Sequence, residues 1–281
     1  MEIVLSDISV GNFKKLNMCI FDAKVTAIIG DNASGKSIIG EVLSTLRKPD
    51  SGKFIIDKNV LDLKRQDVDY NRLRFDIGYV IQNTDITFFE RTVEEHMAYQ
   101  LSVYNYKKSK KRIIDSLKMV GLDSSFINRK IKTLSDSERF KVALATTLSI
   151  NPKVLVLDDP TCFLDESKKD NLYKLIKMMK LKYNKTIVIL SNDTEFILRV
   201  ADYIYVINNN KILIHGNKYD VLTSNKLDST NINIPDIIKF QKLFEHKTKI
   251  KLEYRDNVND LIKDIYYYVE KKFGGKKSDI L

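Results

Sequence analysis

Cysteine is nearly absent from this chain. Its 281 residues include two, Cys19 and Cys162, far apart and without a second pair. Neither a disulfide framework nor a zinc site therefore has support, and a reducing compartment is implied. Histidine is as sparse: His96, His215 and His246 share no ligand spacing and read as structural or surface residues. No run approaches 18 uninterrupted apolar residues, so any membrane crossing falls to other chains. Residues 1–10 carry Glu2 and Asp7 in place of a basic start with an apolar run, which excludes a secretory signal. Internal repeats and low-complexity linkers are also missing. So is any basic run interleaved with stacking aromatics, which assigns the net charge of +10 to solvated lysine-rich helix faces rather than a nucleic-acid groove.

What is present suffices for a globular protein. The 43% hydrophobic content can bury a substantial core, and charges of both signs are interspersed, which argues against disorder. Residues 3–29 read as short strands ending in the apolar run 25–29, a buried strand. A helix is expected over residues 37–46 from Ile38, Ile39, Val42, Leu43 and Leu46, closed by Pro49 and Gly52. Residues 53–81 return to strands. Residues 92–150 carry helix-face spacings, such as Val93, Met97 and Leu101, and read as an inserted helical subdomain. Strands at 154–157 and 186–190 flank a helix whose buried stripe is Leu172, Leu175, Ile176 and Met179. This alternation predicts an α/β fold with a largely parallel sheet, whose ligands sit at the carboxyl ends of the strands. A hairpin follows across residues 208–210. Helices opening at Pro235 and running through Val258, Leu261, Ile262, Ile265 and Val269 form a carboxyl-terminal appendix.

The chemistry concentrates after the first buried strand. Gly30, Asp31, Asn32, Ala33, Ser34, Gly35, Lys36 and Ser37 fit G-x-x-x-x-G-K-[ST], between a strand and a helix as that motif requires. Backbone amides at the helix start donate to phosphate oxygens, Lys36 neutralises the β and γ phosphates, and the Ser37 hydroxyl can coordinate Mg²⁺. Ala33, where glycine is common, costs little unless its backbone needs a positive φ. Asp158 ends the strand at 154–157, where a carboxylate projects toward the phosphate loop and can hold Mg²⁺ through water. Phe13 reads as core rather than an adenine-stacking ring, and Cys162 as a small buried residue.

Together with Gln82, residues 134–145, 160–165 and 191–193, these motifs resemble in order and spacing an ABC-transporter ATPase, over residues 1 to about 220. The resemblance implies a P-loop NTPase cassette at 1–218, with an antiparallel β subdomain and a helical subdomain at about 84–150, followed by a helical domain at 219–281. It places Gln82 in the Q-loop, near catalysis and Mg²⁺, Ser135, Asp136, Ser137 and Glu138 in the signature that meets the partner's nucleotide, and Asp165 in the D-loop. Gln82-Asn83-Thr84-Asp85 with Thr92-Val93-Glu94-Glu95, and a tail containing Asn259-Asp260-Leu261-Ile262, are similar to ATPase components of energy-coupling factor transporters, which take up vitamins and transition-metal ions. The implied cofactors are ATP and Mg²⁺. The implied partners are a second cassette, as heterodimer or homodimer, and integral membrane subunits at the inner face of the cell membrane.

Five positions depart from the family pattern. Asp159 stands at the catalytic glutamate, one methylene shorter than a base that must come within about 3 Å of its water. Asn192 stands at the switch histidine and cannot become cationic. Asp136 and Ser137 replace two signature glycines, and Glu138 a glutamine, so negative charge would face phosphate unless these carboxylates turn outward. The expectation is a weakened ATPase in an importer, paired with a competent cassette. A non-hydrolysing regulatory module is the alternative, and a nucleic-acid-associated cassette of the repair or translation type lacks the second cassette or coiled-coil insertion it usually carries.

Overall fold

A computed structural model describes residues 1–61, 73, 75–107 and 109–273, the last three by backbone alone. Residues 62–72, within the strand region expected at 53–81, and residues 274–281 of the appendix lie outside the described residues.

Two sheets are built from residues 3–217. Strands β1 (Ile3–Val10), β2 (Phe13–Ile20), β4 (Ser51–Ile56) and β5 (Asn59–Leu61) pair antiparallel in the order β2-β1-β4-β5. The main sheet takes β3 (Val25–Gly30), β6 (Ile77–Val80), β7 (Val154–Asp158), β8 (Thr186–Leu190), β9 (Tyr203–Asn208) and β10 (Lys211–Asn217) in the order β10-β9-β3-β8-β7-β6. All its pairings are parallel except the terminal hairpin β9–β10. Every residue of β3, β7 and β8 is buried, which is why these strands read as continuous apolar runs rather than alternating ones.

Alternation still sorts them between two cores. Ala27, Leu155, Leu157, Ile187 and Ile189 face the helical side, with Leu172, Leu175, Ile176 and Met179 of α5 (Glu166–Tyr183). Ile28, Val156, Val188 and Leu190 face the antiparallel sheet and meet Phe13 and Phe54. Tyr205 ties the sheets together: its hydroxyl accepts from the Cys19 amide at 2.9 Å and donates to the Cys19 carbonyl at 3.2 Å.

The helical subdomain carries α2 (Val93–Val103), α3 (Lys110–Met119) and α4 (Asp136–Ser149). Thr92 with Glu95, and Ser135 with Glu138, form capping boxes that satisfy amides at the starts of α2 and α4. The helix after the phosphate loop, α1 (Lys36–Leu43), is shorter than expected, and Leu46 is 55% exposed. Thr45 enters left-handed backbone at φ +60° and ends the spiral, so the apolar spacing runs past the helix it describes. Helices α6 (Thr194–Val200), α7 (Lys218–Leu222), α8 (Asp236–Thr248) and α9 (Val258–Phe273) complete the chain. Val221 and Leu222 of α7, Leu227, and Ile238 of α8 join the same core as the main sheet. On α9, Leu261 is covered while Ile262, Tyr266, Tyr267 and Val269 are exposed. Among the described residues no helix is long and apolar enough to cross a membrane.

Candidate nucleotide site

The loop at residues 30–37 joins the carboxyl end of β3 to α1, the position at which an open parallel sheet exposes its ligand crevice. Its glycines are sterically required. A Cβ on Gly30 would lie 2.4 Å from the Ile207 carbonyl oxygen, and one on Gly35, at φ +95°, would lie 2.4 Å from the Phe13 ring. Phe13 is therefore the floor of the loop, buried as expected of core. Ala33 sits at φ +59°, so the condition under which it costs little is not met: a left-handed alanine is disfavoured by about 1–2 kcal/mol.

Lys36 is buried, and its ammonium donates to the Gly30 carbonyl at 2.8 Å and the Asp31 carbonyl at 3.0 Å. Burial pushes its pKa down, while the charges of Asp159, Asp158 and Asp31 oppose that shift. The Ser34 hydroxyl is buried without a partner, although the loop is otherwise well bonded.

Asp158 closes β7 and is almost fully buried. One carboxylate oxygen accepts from the Tyr79 hydroxyl at 2.9 Å, and the other is buried with no partner. Burial raises its pKa, and the Tyr79 hydrogen bond, the nearby Ser37 hydroxyl and the Lys36 charge oppose the rise. Asp159 follows at φ +44°, anchored by its amide to the Leu190 carbonyl at 2.8 Å. Burial and the neighbouring Asp158 charge raise its pKa against Lys36, Ser191 and the Asn192 amide. The carboxylate pair, the ammonium and the Ser37 hydroxyl thus share one electrostatic environment. A single carboxylate with a hydroxyl fits Mg²⁺, which takes few protein ligands and fills its octahedron with phosphate oxygens and water.

Asn192 follows β8 and reaches the loop directly: its Nδ2 donates to Asn32 Oδ1 at 2.7 Å. Asp193 caps α6 by accepting from the Phe196 amide at 3.1 Å and pairs with Lys169 at 2.8 Å. Burial pushes this carboxyl up, but the Lys169 and Phe196 hydrogen bonds outweigh it and hold the carboxyl below its ordinary value. Gln82 is exposed beyond β6, on the same side of the sheet end as Cys162, whose thiol it influences. Cys162, expected to be buried, is exposed. The turn that bonds the Cys162 amide to Asp159 and the Leu164 amide to Thr161 tucks Thr161 inward and leaves Cys162 and Phe163 outside. Asp165 caps α5 through the Lys168 amide at 2.9 Å and pairs with the Lys168 ammonium at 2.7 Å.

At the start of α4, Glu138 is turned back on its own helix. It accepts from the Ser135 amide at 2.8 Å and the Ser135 hydroxyl at 3.0 Å, while Arg129 bonds its other oxygen at 2.7 Å. Asp136 is exposed and lies 3.8 Å from Arg139, whose nearer partner is Asp85 at 2.7 Å; Ser137 is buried. Sequence reasoning missed Tyr79, Arg129 and Arg139. Arg129 carries no spacing signal, and Tyr79 meets Asp158 only through parallel pairing of β6 with β7.

Residues 13–162 match the ABC transporter family. The energy-coupling factor transporter ATP-binding protein EcfA1 of Mycoplasmopsis pulmonis is 32% identical over 85% of this chain and 86% of its own length. The structure of cbiO1 from Clostridium perfringens, part of the transporter complex cbiONQ, superposes with a TM-score of 0.70 at 26% identity, over 88% of this chain and 98% of that one. A dimeric structure of the cassette MJ0796 bound to ADP and Pi gives a TM-score of 0.69 at 25% identity, covering 77% and 98%. Matched on fold, on the glycine-lysine loop and along most of its length, this chain belongs to the ABC transporter family as an ATP-binding cassette ATPase of the energy-coupling factor type.

Proposed function

We propose that the chain is the catalytically weakened cassette of a heterodimer that powers an energy-coupling factor importer for vitamins or metal ions. Residues 1–218 act as the ATP-binding domain, peripheral on the inner, cytoplasmic face of the membrane. Residues 219–281 act as a helical domain whose exposed Ile262, Tyr266 and Val269 are offered to partners in the complex. The loop at residues 30–37 holds the phosphates, and Ser37, Asp158 and Gln82 would hold Mg²⁺, which neutralises phosphate charge when bound. Asp159 accepts the proton of the water that attacks the terminal phosphorus; the bond to the leaving ADP oxygen breaks, and Asn192 orients the terminal phosphate. The signature residues Ser135, Asp136, Ser137 and Glu138, with Asp165, face the nucleotide of the second cassette. Nucleotide closes the pair, and hydrolysis reopens it.

The observation that carries the weakened reading is the pairing of Asn192 with Asn32 beside a shortened Asp159. A neutral amide committed to the loop replaces a group that could carry positive charge, and both departures fall on one site. Purified alone, the protein is expected to bind MgATP and release phosphate at well under about 1 per second, the lower edge of ordinary enzyme turnover. Adding a competent cassette restores turnover in part. Asp159→Glu with Asn192→His repairs one composite site, and Asp136→Gly with Ser137→Gly the other, so the gains are separable. Turnover of the isolated wild type at ordinary enzyme rates rejects the weakened reading. If both repairs leave the heterodimer inactive, the chain is a regulatory ATP-binding module, a reading to which the commitment of Ser135 to Glu138 lends support.

A further inference from the structure

Beside the phosphate loop lies a cleft of about 320 Å³ whose walls come from three parts of the chain: Gly30, Asp31 and Asn32 of the loop, Asn192 at the switch, and residues 231–233 leading into α8. The last wall is firmly placed. Ile232 and Ile234 pack against the main core, the hydroxyl of buried Thr194 donates to the Asn233 carbonyl at 2.6 Å, and the Asp236 amide donates to Glu195 at 2.6 Å. From this strap Asn231 reaches the loop, its Nδ2 lying 3.4 Å from Asp31 Oδ2.

We propose that Asn231 is a positioning residue of the phosphate loop, holding the Asp31 carboxylate away from the terminal phosphate of bound nucleotide. The proposal rests on reading residues 30–37 as the nucleotide site. Asp31 is an acid in a loop that must cradle a polyanion, and like charges repel most where water is thinned out. Its side chain is half-buried and its field already reaches Lys36. Released, it would compete with phosphate for that ammonium. An amide suits such a restraint because it donates to the carboxylate yet brings no charge of its own to the phosphates. The neighbouring Asn32 is bonded to the switch residue Asn192, which puts this end of the loop at the terminal phosphate rather than at the two that ADP retains. Because Thr194 and Glu195 of α6 anchor the strap just after the switch, the start of the carboxyl-terminal domain moves with the nucleotide site.

Titration calorimetry of the full chain with MgATP and with MgADP tests this. Asn231 is exposed, so Asn231→Ala leaves the melting temperature unchanged. MgATP affinity falls about fivefold, the worth of one hydrogen bond, while MgADP affinity holds within about twofold. Asp31→Asn in the same chain removes the carboxylate that needed restraint and returns MgATP affinity to the wild-type value. Unchanged MgATP affinity in Asn231→Ala overturns the proposal, as does a loss that persists in the Asp31→Asn background. Lys36→Ala separates the two levels: if it loses MgATP binding while Asn231→Ala does not, only the role of Asn231 fails. If Lys36→Ala binds normally, the nucleotide site itself is misplaced and Asn231 falls with it.

Discussion

Ala33 bears a backbone cost that its neighbours avoid. Gly35 occupies its left-handed position freely, whereas Ala33 at φ +59° pushes its Cβ against the following carbonyl. Ala33→Gly relieves this but frees the unfolded chain, so a net gain of about 0.5–1 kcal/mol is expected. For a domain of this size that is a rise of about 1–4 °C in melting temperature. A fall in thermal melts would place the strain elsewhere. Residues 30–37 were legible because the chemistry is local: eight consecutive positions carry the turn, the amides and the charge. The strain at Ala33 was not, since φ is set by how the loop must pass over Phe13. Nor was Tyr79, whose partner Asp158 lies 79 residues away and meets it only when β6 and β7 align.

Helix α4 shows how an element can neutralise its own charge. Ser-x-x-Glu at its start is a local signature of a capping box, and a pattern of this kind already allows carboxylates that turn away from phosphate. The partner Arg129, in the preceding turn, carried no such signal. Hydrogen bonds from the Ser135 amide, then Arg129 and the Ser135 hydroxyl, hold the Glu138 carboxyl below its ordinary value of 4.5 despite the opposing effect of burial. A carboxyl lowered on folding contributes stability above its unfolded value, and that contribution is lost as pH falls through the folded one. Below pH 4.5, wild type should therefore lose melting temperature faster than Glu138→Gln, which keeps the cap but cannot titrate. Parallel acid-limb profiles for the two proteins would mean that Glu138 gains nothing from Ser135 and Arg129 together.

At the scale of the whole molecule, the carboxyl-terminal domain begins inside the cassette's core. Removing everything after residue 218 strips Val221, Leu222, Leu227 and Ile238 from a closed apolar cluster. At about 1.5–3 kcal/mol for each side chain, the loss of about 6–12 kcal/mol rivals the entire stability of a typical domain. Such a fragment should fail to show a cooperative melt by circular dichroism. A chain ending at residue 249 keeps all four and should melt cooperatively, although without the Lys218–Asp256 pair at 2.5 Å. Equal melts for both fragments would show that the cluster closes without them. The change of periodicity after the hairpin was legible; the shared core was not, because a buried face in a sequence does not say which surface buries it.

The sheet order has a consequence for the order of events at birth. Among the described residues, strand β3, which leads into the phosphate loop, pairs with β8 and β9. On the ribosome it therefore waits, unpaired, until more than half of the polypeptide has been made. Closing so long a loop is slow and leaves apolar strands uncovered meanwhile. The nucleotide pocket, encoded near the amino terminus, is thus among the last things the nascent chain acquires, and a chain cut short before β8 lacks both strands that flank the loop's own.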